Sequence, residues 1–251
     1  MADEIDTLTS FPAPFCALVI GASGGVGAAL TARLLTEAKV VEAHALARRP
    51  LEIKHPKLRC GFVDLMREET LAALAQRSFA APVRLIIVAT GLLHDGEGMR
   101  PEKRLADLDP ARLARSFAIN ATGPALAFKH LAPLLPRDGK AVLAALSARV
   151  GSISDNRLGG WYGYRAAKAA LNQLIRTSAI EIGARRREAL CVGLHPGTVD
   201  TGLSKPFQTG VAADRLFSPA FAAARLLAVL DGLVPADSGG VFAWDGSRVP
   251  D

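Results

Sequence analysis

The segment that fixes the architecture reads Cys16-Ala17-Leu18-Val19-Ile20-Gly21-Ala22-Ser23-Gly24-Gly25-Val26-Gly27. Its first five residues form a short apolar run, which is typical of a strand buried on both faces. A glycine-rich loop follows at once, and residues 28–35 then have the spacing of an amphipathic helix. This order predicts an anion-binding turn, because backbone N–H groups and the positive end of a helix dipole meet there. The alternative is a plain turn that only joins a strand to a helix.

The rest of the chain alternates apolar strand-like runs with helical patterns, which predicts an α/β fold with a parallel sheet. With 251 residues, 50% of them hydrophobic, the chain is long enough for one domain with a large core. Two helices are signalled by an N-cap residue followed by proline, at Asp109-Pro110 and Ser218-Pro219, the first helix running to about Leu135. We expect a final strand at residues 239–244. Residues 1–14 are expected to be a polar lead-in, mobile or draped on the surface, and residues 15–251 the folded domain.

A second segment, Tyr164-Arg165-Ala166-Ala167-Lys168, places a phenol and an amine four residues apart. This spacing puts both groups on one face of a helix. A phenol titrates near ~10 when unperturbed, and a neighbouring cation lowers that pKa towards the range that proton transfer at neutral pH needs. Tyr162 lies in the same helix but on a different face. The alternative for the pair is an ordinary amphipathic surface.

The Gly-x-x-x-Gly-x-Gly spacing from Gly21, taken with Tyr-x-x-x-Lys, resembles the short-chain dehydrogenase/reductase family over nearly the whole chain from about Leu18. The resemblance implies a single-domain, Rossmann-type, doubly wound parallel sheet of about seven strands flanked by helices. It also implies hydride transfer between a nicotinamide and a small carbonyl or alcohol substrate. The segments 193–201 and 242–250 are similar to those of C-factor-like and sniffer-like carbonyl reductases.

By this resemblance the catalytic residues are Asn120, Ser147, Tyr164 and Lys168. Tyr164 would be the acid in reduction and the base in oxidation, and Ser147 would donate a hydrogen bond to the substrate oxygen. Lys168 would bind the nicotinamide ribose, and Asn120 would hold a water in a proton relay. Two alternatives stay open. Asn120 could cap or kink its helix, and Ser152 is a second candidate serine because Ser147 lies further from Tyr164 in sequence than is usual in the family.

The resemblance also assigns cofactor-binding residues in several segments. They are Gly21, Ser23, Gly24, Gly25, Val26 and Gly27 in the turn; Asp64, Leu65, Ala89, Thr90 and Gly91 after later strands; Pro196, Gly197, Val199 and Thr201 after another; and Asn120, Tyr164 and Lys168. Where the family usually has Asn-Asn-Ala-Gly, this chain has Ala89-Thr90-Gly91, so only the glycine is shared. A lone Asp64 is also compatible with a helix N-cap or a solvated loop carboxylate.

The choice of cofactor follows from the charge at the end of the second strand, which is expected at residues 41–46. Two arginines, Arg48 and Arg49, stand there, and no acidic residue follows Ala45 before them. An acid at this position binds the ribose hydroxyls of NAD, whereas basic residues accommodate the 2′-phosphate of NADP. Guanidinium groups suit a phosphate in charge and in geometry. We therefore expect NADP(H) to be preferred, with NAD(H) possible; the alternative is a solvated basic turn.

The resemblance implies a substrate lid at residues 198–217, a segment rich in turn formers that carries the apolar Leu203 and Phe207. His94 could face the same cleft or be a surface loop histidine.

The resemblance implies a homodimer or homotetramer formed through the helices around Asn120 and Tyr164. A rival function is an NADP(H)-binding regulatory or signalling protein with little catalysis. An extended-family epimerase or dehydratase is disfavoured, because little chain remains for a substrate domain.

Charge, cysteine content and hydropathy limit which other function classes are possible. The acidic start of the chain is unlike a secretory signal, and no apolar run approaches the ~20 residues of a membrane span. Cys16, Cys60 and Cys191 are expected to be reduced core residues of a cytoplasmic protein. No Cys/His cluster has metal-ligand spacing, so we expect no metal. The net charge is +6, and the basic cluster at residues 185–187 is interpreted as solvated, not as a nucleic-acid site.

Overall fold

The computed structural model describes residues 7–95 and 98–251. Its centre is a parallel sheet of seven strands in the order β3-β2-β1-β4-β5-β6-β9. The sheet strands are β1 (Phe15–Ile20), β2 (Val40–Ala47), β3 (Leu58–Phe62), β4 (Val83–Val88), β5 (Ala141–Leu146), β6 (Ala189–His195) and β9 (Val241–Ala243), while β7 (Thr198–Val199) and β8 (Leu216–Phe217) pair separately. The helices are α1 (Gly25–Thr36), α2 (Glu68–Ala75), α3 (Pro110–Phe117), α4 (Gly123–Leu131), α5 (Tyr162–Arg185) and α6 (Pro219–Gly232). The predicted doubly wound fold is confirmed.

Two hydrophobic layers cover the sheet, one on each face. Side chains of a strand alternate between the faces, so every second residue belongs to the same layer. On β5, Val142 and Ala144 pack into the layer that contains α1 and α6. Leu143 and Ala145 pack into the other layer, against α4 and α5. This alternation fixes which helix each side chain meets where β5 ends.

The predicted helix starts are confirmed, and helical backbone continues after Asp109 to Leu134, with one irregular turn inside it. Asp109 accepts a hydrogen bond from the N–H of Arg112 at 2.8 Å, and Ser218 accepts one from the N–H of Phe221 at 3.1 Å. A π-helical turn, Ala118–Thr122, separates α3 from α4, and a 3-10 turn at Ala132–Leu134 follows. The prediction of a long helix to about Leu135 is therefore confirmed in its extent, and the wider turn that contains Asn120 is an addition that the sequence did not predict.

The described part of the lead-in, residues 7–14, packs against the domain. Leu8 and Phe11 are fully buried, and the rings of Phe11 and Phe15 stack with centroids 5.4 Å apart. Lys39 Nζ donates a hydrogen bond to the carbonyl oxygen of Phe11 at 2.9 Å. Two apolar side chains thus anchor residues 7–14 on the domain, and the expectation that the whole lead-in is mobile or draped on the surface stays a prediction. Residues 1–6 lie outside the described residues.

Two of the three cysteines are buried as predicted, and the third is not. Cys16 and Cys191 lie in central strands, whereas Cys60 is exposed. The reason is its strand: β3 is at the edge of the sheet, and most of its residues face solvent. Among the helices of residues 7–95 and 98–251, none has the length and apolar character to cross a membrane.

Candidate active site

The candidate site lies where the order of the sheet reverses, between β1 and β4. In sheets of this kind the carboxyl ends of the strands form a crevice at this point, which is the usual place for a ligand. A cleft of about 480 Å³ opens there, lined by residues of the glycine turn, the ends of β4, β5 and β6, and the start of α5. A second cleft of about 260 Å³ lies on the side of β2 and shares Thr90 and Arg49 with the first.

The glycine turn is built by three close approaches. Gly21 has a φ of +90°, and a Cβ there would lie 2.8 Å from the carbonyl oxygen of Ala89. A Cβ on Gly27 would lie 2.2 Å from the carbonyl oxygen of Gly21, so α1 packs directly on the turn. A Cβ on Gly25 would lie 2.5 Å from Cγ2 of Thr201. Because no side chain caps the start of α1 at Gly24, its first N–H groups remain available to an anion.

The second cleft contains the residues expected beside the adenine and its ribose. Arg48, Arg49, Asp64 and Leu65 all line it. Asp64 is not the N-cap of α2, a position that Arg67 occupies. Instead, Asp64 Oδ1 accepts a hydrogen bond from the N–H of Met66 at 3.0 Å, within a turn at the mouth of the cleft. The structure thus brings the two arginines and the acid to one place.

These features fit a dinucleotide. Thr90 lies between the two clefts, and its Oγ1 is buried with no hydrogen-bond partner in the described part of the chain. Buried hydroxyl groups are normally bonded, so an orphaned one beside a cleft fits a bound polar ligand. The glycine cradle and the uncapped start of α1 match a pyrophosphate.

Tyr164 and Lys168 lie on one face of α5, at the edge of the larger cleft. Lys168 is 2% exposed, its Nζ lies 5.7 Å from the centre of the Tyr164 ring, and it donates a hydrogen bond to the carbonyl oxygen of Leu146 at 2.8 Å. Burial raises the pKa of Tyr164 to about 12 and lowers the pKa of Lys168 to about 7. The expected lowering of the Tyr164 pKa is not found in the chain alone, because burial disfavours the charged form of both groups.

Asn120 is fully buried in the π-helical turn between α3 and α4. Its Oδ1 accepts a hydrogen bond from the N–H of Leu92 at 2.9 Å. Its Nδ2 donates to the carbonyl oxygen of Leu92 at 2.8 Å and to Ser116 Oγ at 3.3 Å. The side chain therefore joins the helix to the loop after β4. It occupies a π-helical turn inside the helix, and its part in a water relay stays a prediction.

The two candidate serines have different surroundings. Ser147 is 4% exposed and lines the larger cleft together with Tyr164 and Lys168. Ser152 Oγ instead accepts a hydrogen bond from the N–H of Asp155 at 3.1 Å and donates to the carbonyl oxygen of the terminal Asp251 at 3.3 Å. Ser152 is not among the residues that line this cleft in the described part of the chain. The geometry therefore favours Ser147.

Aromatic rings line one side of the larger cleft. The ring of Trp161 lies 5.1 Å from that of Phe207 and 6.4 Å from that of Tyr164, and the ring of His94 lies 5.6 Å from that of Phe207. His94 Nε2 is also 3.0 Å from the carbonyl oxygen of Gly202. His94 therefore packs against the segment that contains Phe207 but is not among the residues that line the cleft in the described part of the chain. Residues of the expected lid that line the cleft lie between Thr198 and Phe207, and the role of residues 198–217 as a lid stays a prediction.

Sequence reasoning missed the residues that hold the start of α5. Trp161 has a φ of +54°, a left-handed conformation that is uncommon for a residue other than glycine. Glu102 is 5% exposed, and its Oε2 accepts a hydrogen bond from the N–H of Gly163 at 3.0 Å. This carboxylate provides the cap that Trp161 does not. Its separation of 61 residues from Gly163 leaves no signal in a local pattern.

The segment that follows β6 is fixed by its glycine. Gly197 has a φ of +76°, and a Cβ there would lie 2.6 Å from the ring of Phe217. His195 lines the cleft beside it, and burial lowers its pKa to about 4, helped by the positive charge of Arg149. His195 is therefore neutral at physiological pH. No group of three or more potential metal ligands is found among residues 7–95 and 98–251.

Comparisons with known proteins agree with this geometry. The family model described as short chain dehydrogenase matches residues 16–212. The C-signal protein of Myxococcus xanthus is 37% identical over 146 residues, covering 58% of this chain and 82% of that protein. The 1-hydroxy-2-glutathionyl-2-methyl-3-butene dehydrogenase of Rhodococcus sp. (strain AD45) is 32% identical over 187 residues, covering 74% of this chain and 76% of that enzyme.

A solved structure shows the same fold. The carbonyl reductase from chicken fatty liver, whose structure contains NADPH, superimposes with a TM-score of 0.81 at 23% identity, covering 95% of this chain and 99% of that one. The family match extends from β1 through the glycine turn, the Tyr164 helix and most of the lid. This chain therefore belongs to the short-chain dehydrogenase family of oxidoreductases.

Proposed function

We propose that this chain is an NADP(H)-dependent reductase of aldehydes or ketones, which in the reverse direction oxidises alcohols. The observation that carries the proposal is the convergence of Ser147, Tyr164 and Lys168 on one cleft that continues into the glycine cradle. A phenol, a hydroxyl and an amine at one edge of a dinucleotide site are the groups that a carbonyl reduction needs from the protein.

The bound nicotinamide would supply the hydride, and the protein residues handle the proton. At neutral pH Tyr164 is a neutral phenol, because its pKa is about 12, so it carries the proton that the carbonyl oxygen must receive. Ser147 donates a hydrogen bond to the same oxygen as negative charge develops on it. Lys168, with a pKa of about 7, exchanges protons readily at neutral pH and supports the phenolate after transfer.

Several observations support NADP(H) as the cofactor. Arg48 and Arg49 follow β2 directly and line the cleft beside Asp64. Two guanidinium groups at this strand end suit a 2′-phosphate, and the strand end carries no acidic residue of the kind that binds the ribose hydroxyls of NAD. A structure of the same fold, from chicken fatty liver, contains NADPH.

The decisive experiment replaces the phenol. Purified protein is titrated with NADPH and NADH, and turnover is then followed as loss of NADPH absorbance with a panel of aldehydes, ketones and quinones. We expect Tyr164→Phe to abolish turnover and to leave NADPH binding nearly intact. Tyr162→Phe is the matched control, since Tyr162 lies in the same helical turn but not in the cleft. Retained turnover in Tyr164→Phe would refute the proposed role.

The similarity to the C-signal protein is the reason to keep the regulatory alternative. A protein that only senses the cofactor needs the glycine turn and the second cleft, but it has no use for a buried phenol and amine in the first. Tight NADPH binding with no turnover of any carbonyl compound would support that alternative.

A further inference from the structure

The alternation of side chains along β5 determines which face of the sheet Ser147 lies on. Leu143 and Ala145 pack against α5, and Ser147 continues the same face two residues further on. The backbone N–H of Ser147 still pairs with the carbonyl oxygen of Leu194, so the strand geometry extends to this residue. Its hydroxyl therefore meets α5, and Ser147 Oγ donates a hydrogen bond to Asn172 Oδ1 at 2.6 Å.

Asn172 belongs to the same helical stripe as the proposed acid and its lysine. Tyr164, Lys168 and Asn172 are spaced by four residues, so they lie one above another along α5. Lys168 Nζ bonds the carbonyl oxygen of Leu146, and Asn172 bonds the side chain of the next residue, Ser147. Two hydrogen bonds one helical turn apart thus tie α5 to the end of β5.

The turn after Ser147 holds Asn172 from the other side. A Cβ on Gly151 would lie 3.1 Å from Asn172 Nδ2 and 2.8 Å from Cβ of Lys168, so the turn packs closely on this stripe. A side chain held between a strand end and a packed turn has little freedom to move its oxygen away from Ser147. The position of the hydroxyl is therefore set by Asn172 and the groups around it.

A serine hydroxyl has one hydrogen to donate, and in the chain alone Asn172 receives it. We propose that Asn172 is a positioning residue for the proposed reduction. Its hydrogen bond keeps the Ser147 hydroxyl at the cleft, and when the substrate binds, Ser147 turns its hydrogen from Asn172 to the substrate oxygen. A hydroxyl already fixed at the cleft loses less freedom when it donates to the oxygen that gains negative charge in the transition state. This inference rests on the proposed function of Ser147.

The test compares Asn172→Leu, which keeps the side-chain volume and removes the acceptor, with Asn172→Asp, which keeps the acceptor. We expect Asn172→Leu to lower kcat by about three- to tenfold, the range of one lost hydrogen bond, with the Kd of NADPH unchanged. Asn172→Asp should recover most of that loss. If the rate depends on the charged form of Lys168, Asn172→Asp should also raise the pH at which the rate falls, because a carboxylate one turn away stabilises that form. Gln173→Leu, on the exposed side of α5, is the control.

A double-mutant cycle with Ser147→Ala separates positioning from general support of the fold. If Asn172 acts through Ser147, adding Asn172→Leu to Ser147→Ala costs little further activity. Losses that multiply, or a normal kcat in Asn172→Leu, would overturn the inference while leaving the proposed function intact. A wild-type protein that binds NADPH and reduces no carbonyl compound would overturn both. Thermal unfolding of each variant shows whether a loss of rate comes from a loss of folded protein.

Discussion

At the scale of single residues, burial shifts the pKa values of a phenol and an amine in the site in opposite directions. Tyr164 has its pKa raised to about 12 and Lys168 has its pKa lowered to about 7, so neither is charged in most molecules above neutral pH. A proton donor that keeps its proton suits the direction of reduction. Lys168 is then the group whose state changes within the physiological range.

The pH dependence of reduction follows from Lys168. In the proposed reduction, its ammonium form, present below the pKa of about 7, would stabilise the phenolate that Tyr164 becomes when it gives up its proton. We expect kcat at saturating NADPH to fall as the pH rises through about 7, and Lys168→Met to be slow at every pH without that fall. A wild-type profile that is flat from pH 6 to 9 would contradict this assignment.

The arginines at the end of β2 give a second prediction for single residues. Arg48→Ala with Arg49→Ala should weaken NADPH binding by about ten- to a hundredfold, the range for losing charge-assisted hydrogen bonds to a phosphate. NADH binding should change little, because NADH has no 2′-phosphate. Arg187→Ala, at an exposed position remote from both clefts, is the control for net charge. Equal weakening of both cofactors would argue against the phosphate role.

At the scale of elements, the sequence predicts those parts of the site whose residues lie close together in the chain. The glycine turn and the Tyr164–Lys168 pair each lie within one turn and one helix, so spacing alone predicts their placement. Glu102 and Asn172 are different: each acts on a residue distant in sequence, and only the packed sheet brings the partners together. The π-helical turn at Asn120 escapes prediction for the same reason, since its bonds go to Leu92 on another segment.

The turn between β6 and the lid gives a prediction for an element. Gly197→Ala combines a left-handed backbone with a Cβ only 2.6 Å from the ring of Phe217. Gly210 is a matched control, because its φ is +84° but no atom lies within 4 Å of the place its Cβ would take. We expect Gly210→Ala to cost about 1 kcal/mol in the free energy of unfolding, from backbone strain alone.

Gly197→Ala should cost more than its control and should also raise KM for the carbonyl substrate, because Phe217 belongs to the strand at the end of the lid. Urea unfolding and steady-state kinetics on both variants measure the two effects. Equal unfolding free energies for the two variants, with KM unchanged, would show that the Phe217 contact does not fix the lid.

At the scale of the whole molecule, the start of the chain is tied to the end of α6 and to β5 by one lysine. Lys140 Nζ donates hydrogen bonds to Ser10 Oγ at 2.9 Å and to the carbonyl oxygens of Asp231 and Leu233 at 2.5 and 2.7 Å, and lies 5.1 Å from the centre of the Phe11 ring. These contacts explain why the described lead-in packs against the domain. They join three segments far apart in sequence, so no local pattern could predict them.

Lys140 also links global stability to pH. Burial lowers its pKa from 10.5 to about 8, so between pH 8 and 10.5 the unfolded state binds more protons than the folded state. The free energy of unfolding contributed by this group therefore rises with pH in that window, while below pH 8 the full cost of burying the charge is present.

Lys140→Met should lower stability at every pH, since three hydrogen bonds are lost, and it should remove this rise. In urea unfolding at pH 7, 8, 9 and 10, the difference between wild type and Lys140→Met should be constant up to about pH 8 and widen above it. A difference that stays constant to pH 10 would mean that Lys140 keeps its ordinary pKa in the folded chain.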